Sequence, residues 1–139
     1  MITPLLVSGE GLSIDDVVSV SGGMKVELDP DALPRMQRSR DAVERLVAEG
    51  RVAYGITTGF GRFKDRLISP EQVAQLQLNL IRSHAAGPGD ELDEQTVRAM
   101  LLIRANTLAM GYSGIRPVVV QLLLDMLNAG VHPCIPGRG

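Results

Sequence analysis

Three short stretches hold most of the residues able to do chemistry. Tyr54 heads the loop Tyr54-Gly-Ile-Thr-Thr-Gly-Phe-Gly61, whose three glycines prevent regular structure and let the backbone approach a ligand closely. A phenol ionises near pH ~10, so a tyrosine acting as a base near neutrality needs neighbours that lower that value. The same side chain could equally anchor the loop by its ring and hydroxyl. His84, in Asn79-Leu-Ile-Arg-Ser-His-Ala-Ala-Gly87, stands near a predicted helix end. There an imidazole either offsets the helix dipole or takes part in site chemistry. Arg116 follows the turn Gly111-Tyr-Ser-Gly-Ile115. Its planar fork suits a carboxylate, but a structural ion pair at the start of a helix is the favoured reading, because buried arginines are usually paired. Tyr112 in the same turn is expected to hydrogen-bond locally and is given no chemistry.

Other chemistries fail on detail. A phosphate-binding loop would need Gly-Lys-Ser/Thr at its end, whereas Gly61 is followed by Arg62-Phe63, and a dinucleotide fingerprint would need glycine where Lys64 stands. His84, His132 and Cys134 could be imagined around a metal, but His132-Pro-Cys134 offers two ligands at an unhelpful spacing with no carboxylate cluster to join them. No metal or nucleotide is expected. Fourteen basic residues against sixteen acidic ones form no basic cluster, which argues against a nucleic-acid footprint. The apolar runs near 100–103 and 118–127 are interrupted by Arg104, Gln121 and Asp125 and fall short of the ~20 residues of a membrane span. A single cysteine and a start without a basic, apolar leader lead to the expectation of a cytoplasmic protein.

The elements that must position these residues read as mainly helical. Residues 1–28 are a mixed lead-in, irregular or hairpin-like, with a short helix possible from Ser13 and a turn at Gly22-Gly23. Residues 29–139 are predicted helical around the 54–61 loop. Asp29-Pro30 opens a first helix carrying Ala32, Met36, Val43, Leu46 and Val47, with Gly50 as terminator. Ser69-Pro-Glu-Gln72 is a capping box launching Val73, Leu76, Leu80 and Ile81 on one face, with His84 at the end of the stripe. Asp93 caps a third helix reaching about Met110, and Ser113 or Gly114 precedes a fourth ending at Gly130. The last two are apolar nearly all round. A helix without a wet face belongs inside something larger than 139 residues, so missing chain or other subunits are expected to cover it. Aromatics make up only 3% of the chain, leaving Leu, Val, Ile, Ala and Met to build the core.

The 54–61, 79–87 and 111–116 segments, with the tail Val131-His-Pro-Cys-Ile-Pro136, together resemble the aromatic amino acid ammonia-lyase and aminomutase family. One departure is Thr57, where the family loop more usually has Asn. The resemblance implies a helical-bundle fold assembled as a homotetramer, with this chain as a partial N-terminal domain. It implies a 4-methylideneimidazole-5-one group formed from an internal Ala-Ser-Gly just beyond such a tail. The chain stops at Gly139 without that triplet, so these residues alone are expected to be inactive. By the same match Tyr54 is the base that takes the β-carbon proton, Gly61 lies where substrate passes the backbone, and Ser83-His84 binds the substrate ring. Histidine-specific members carry Ser-His at this pair, while tyrosine- and phenylalanine-specific ones tend to carry His-Leu and Phe-Leu. The implied reaction is therefore L-histidine to trans-urocanate and ammonia. A phenylalanine or tyrosine lyase or aminomutase is the alternative within the family, and a non-catalytic helical interaction module is the alternative outside it.

Overall fold

The computed structural model describes residues 3–53, 56 and 70–138. Two three-residue strands, β1 (Leu5–Val7) and β2 (Val26–Leu28), pair in parallel with Leu5 opposite Val26 and Val7 opposite Leu28. The lead-in is thus a strand–helix–strand unit and not a hairpin. The reason lies in the connection, which holds helix α1 (Ile14–Ser21) in place of a tight turn. Ser13 opens α1 by a reciprocal cap, its hydroxyl accepting from the Asp16 amide at 3.2 Å and the Asp16 carboxylate accepting from the Ser13 amide at 3.0 Å. The Ser13 hydroxyl also donates to the Asp16 carboxylate at 2.6 Å, and this bond first, with the Ser13 amide second, holds that carboxyl below its ordinary range.

The exposed edge of β2 is finished by a side chain. The Asn128 amide accepts from the Val26 N–H at 2.9 Å and donates to the Val26 carbonyl at 2.8 Å, imitating one residue of a further strand. A short 3₁₀ turn (Pro30–Ala32), capped by Asp29, then runs directly into α2 (Leu33–Ala48). After α2 come α3 (Pro70–His84), α4 (Glu94–Ala109) and α5 (Pro117–Ala129).

Asp93 caps α4 as expected, accepting from the Thr96 amide at 2.9 Å and the Thr96 hydroxyl at 2.7 Å. Helix α5 starts a turn later than Ser113 or Gly114 would place it. Pro117 occupies its first turn and forces Arg116 into extended backbone, so Arg116 is the last residue before the helix. At the other end Gly130 adopts a left-handed conformation with φ 69°, which closes α5.

Helix α4 packs on both α1 and α5, and α5 also meets β2. Their shared core includes Leu102, Ala105 and Leu108 from α4 and Val120, Leu124 and Leu127 from α5, closed below by Val7, Val20, Val26 and Met36. Each such side chain contributes roughly 1.5–3 kcal/mol by leaving water. The opposite faces of these helices are apolar yet uncovered: Ile103 is 49% exposed, Leu122 57% and Val118 64%. No helix among the described residues is long and apolar enough to cross a membrane.

Candidate functional site

The site is built where α3 ends. Its expected capping residue Ser69 lies outside the described residues, as do Tyr54, Thr57 and Gly61. Of the expected apolar stripe, Leu76 and Leu80 are half-buried and Ile81 is exposed. Ser83 and His84 form the final turn. The Ser83 hydroxyl donates to the Leu80 carbonyl at 2.9 Å, and His84 Nδ1 lies 2.9 Å from that carbonyl and 3.0 Å from the Ser83 oxygen. The imidazole is therefore anchored by one nitrogen to the end of its own helix, where unsatisfied carbonyls are expected.

Beyond His84 the chain runs past the C-terminal tail. The Leu92 amide donates to the Ile135 carbonyl at 2.8 Å, and the Gly137 amide donates to the Asp90 carbonyl at 2.9 Å. Gly87 is required by this contact: a Cβ there would stand 2.9 Å from the Arg138 carbonyl oxygen and 3.0 Å from the Pro136 ring. The two segments enclose a groove of about 440 Å³ lined by His84, Ala85, Ala86 and Gly87 on one side and by Cys134, Ile135, Pro136 and Arg138 on the other. Two stretches separated by some fifty residues, each singled out from its motif, thus meet along one opening.

Cys134 brings a thiol to this groove, and Glu91 beside it pushes that thiol up, through a hydrogen bond first and its negative charge second. Among the described residues no three His, Cys, Asp or Glu side chains come together as a metal site. His132 is half-buried, with Nδ1 buried and unpartnered among the described residues, and it does not line the groove.

Arg116 is exposed at the mouth of α5, its carbonyl accepting from the Val119 amide at 3.0 Å, and its side chain makes no ion pair or hydrogen bond among the described residues, so the structural pairing expected for it is not formed there. Tyr112 is 85% exposed and likewise lacks the local bond expected of it among the described residues.

The buried cation is a different one. Arg98, only 5% exposed, donates from Nε to the Val20 and Ser21 carbonyls, from Nη2 to Val20 at 3.0 Å and from Nη1 to the Leu127 carbonyl at 3.0 Å. It ties the carboxyl ends of α1 and α5 together, where helix dipoles favour positive charge. Nothing in the spacing around Arg98 announces this, because it depends on which carbonyls converge in space.

The sequence profile of the aromatic amino acid lyase family matches residues 12–139, and the chain belongs to that family. Among its relatives, the histidine ammonia-lyase of Chloroflexus aurantiacus is 52% identical over 142 residues, covering 99% of this chain and 27% of that protein. The crystal structure of histidine ammonia-lyase from Trypanosoma cruzi matches with a TM-score of 0.89 at 37% identity, over 99% of this chain and 26% of that one. Tyrosine aminomutase from Streptomyces globisporus matches with a TM-score of 0.92 at 35% identity, again over 99% and 26%. The chain spans about a quarter of the length of the curated relatives it matches.

Proposed function

We propose that this chain is the N-terminal part of a cytoplasmic, homotetrameric histidine ammonia-lyase, which converts L-histidine to trans-urocanate and ammonia in histidine catabolism. The observation that carries the reading is His84, held at the end of α3 with its ring on a groove that a substrate side chain could enter. Similarity to proteins named histidine ammonia-lyase over nearly the whole chain supports it.

In this reading Tyr54 takes the proton from the substrate β-carbon, a role that requires its phenol to ionise more readily than a free one. Gly61 lets the backbone approach the substrate, and the Ser83-His84 pair recognises the ring. The 139 residues contain no Ala-Ser-Gly triplet, so a 4-methylideneimidazole-5-one group would come from chain outside them. The residues present fit such a neighbour: the tail 134–138 is held against 87–92 along the open groove, next to the imidazole. The group, when formed, supplies an electrophile that makes the amine a better leaving group.

The likeness to tyrosine aminomutase favours a second reading, a tyrosine- or phenylalanine-directed member of the family. Ser83-His84 argues against it, since a phenyl ring prefers an apolar wall. The test is turnover by the full-length enzyme that carries this segment, offered histidine, tyrosine and phenylalanine. Histidine is expected to be consumed with appearance of urocanate, and Tyr54→Phe is expected to slow kcat by roughly 10²–10⁴-fold without loss of folding. Preference for tyrosine or phenylalanine would overturn the histidine reading. Unchanged turnover by Tyr54→Phe would overturn the role of the tyrosine.

A further inference from the structure

Taking His84 as the residue that reads the substrate ring, as proposed above, we infer that Ser83 is a positioning residue: it fixes the hydrogen-bond polarity of His84 so that the groove recognises a ring N–H donor. The bonds at the end of α3 support this. A carbonyl oxygen has only lone pairs, so the 2.9 Å contact of His84 Nδ1 with the Leu80 carbonyl places a hydrogen on Nδ1. The Ser83 hydroxyl has one hydrogen and spends it on the same carbonyl, also at 2.9 Å. Towards Nδ1, at 3.0 Å, the serine oxygen is therefore an acceptor as well. With its hydrogen held on Nδ1 by these two acceptors, the neutral imidazole carries its lone pair on Nε2.

Nε2 has no partner among the described residues, while the ring lines the groove. Of the other lining residues, Ala85, Ala86, Gly87, Ile135 and Pro136 carry no hydrogen-bonding side-chain group, and Cys134 and Arg138 supply the polar ones. The serine, with its hydrogen used within the helix, has none to offer a ligand. What His84 presents to a ring beside it is one acceptor. A substrate ring bearing an N–H satisfies it, and an isosteric ring with acceptors alone does not.

The experiment compares L-histidine with β-(thiazol-4-yl)-L-alanine, an acceptor-only isostere, in the full-length enzyme and three variants. The quantity read is the ratio of the two kcat/KM values, normalised to the ratio in His84→Leu, so that differences in intrinsic ring reactivity cancel. The parent is expected to favour histidine roughly 10- to 100-fold more than His84→Leu does, the cost of leaving a polar group unpaired. Ser83→Ala is expected to lose roughly 3- to 10-fold of that discrimination, mainly through KM for histidine, because one of the two acceptors holding Nδ1–H is gone. Ser83→Thr keeps the hydroxyl and is expected to restore it. Discrimination unchanged in Ser83→Ala, or lost equally in Ser83→Thr, overturns the role of Ser83 while histidine turnover stands. Absence of histidine turnover in the parent overturns the substrate reading and this inference with it.

Discussion

At Gly87 a single hydrogen in place of a methyl decides whether the tail can lie against the end of α3. A methyl added there would press on the Arg138 carbonyl and the Pro136 ring at 3.0 Å or less, and backbone has to move to relieve it. Gly87→Ala is expected to lower turnover of the full-length enzyme by displacing the groove wall, with a stability loss of roughly 1–3 kcal/mol from overpacking against the 136–138 segment. Steady-state kinetics beside a thermal melt checks this, and a variant with parental kinetics would show that the wall's position is unimportant. At this scale the motifs were informative. The stretches around His84 and Cys134 were picked out by residue type and order, and they line the same groove. Arg116, expected from the sequence to be paired, is exposed, because a sequence does not tell which of two arginines the core encloses. That place belongs to Arg98.

Helix ends are where local chemistry was most legible. Asp93 is a cap readable from its position before an apolar run, and its bonds to Thr96 hold its carboxyl below the ordinary range. A lowered value means that the folded state favours the charged form. The contribution is therefore complete above the ordinary Asp value of about 4 and fades as pH falls through the lower folded value. Acid titration of stability is expected to show this loss, and Asp93→Asn is expected to flatten the curve below about pH 4. Helix α5 begins later than Ser113 or Gly114 suggests because Pro117 outweighs them as an initiator. The parallel pairing of β1 and β2 was not legible, since three-residue strands carry no usable periodicity. Arg98→Met is expected to cost roughly 3 kcal/mol, leaving the Val20, Ser21 and Leu127 carbonyls without their donor. Arg98→Lys is expected to recover only part of this, because a compact ammonium cannot bridge two helix ends as a fork does. Chemical denaturation distinguishes the three proteins, and equal midpoints would deny the bridge any energetic role.

For the molecule as a whole, the apolar character of α4 and α5 was legible from the sequence, and the structure shows which side of each helix this chain covers. Ile103, Val118 and Leu122 remain open to water, with Ile14 and Tyr112 among the other large exposed side chains. Apolar area of this kind marks an interface or a liability. The isolated 139-residue segment is expected to self-associate at micromolar concentration, and Ile103→Lys with Leu122→Lys is expected to reduce its apparent mass on size exclusion. A monodisperse monomer before substitution would contradict this.

The long-range ties of the lead-in bear on the order of synthesis. β2 is finished at its edge by Asn128, and the last carbonyls of α1 are held by Arg98. On the ribosome the first thirty residues emerge long before either partner has been made. A nascent chain stopped short of Asn128 lacks the side chain that finishes β2, so this strand pair gains its last bonds only once α5 has been made.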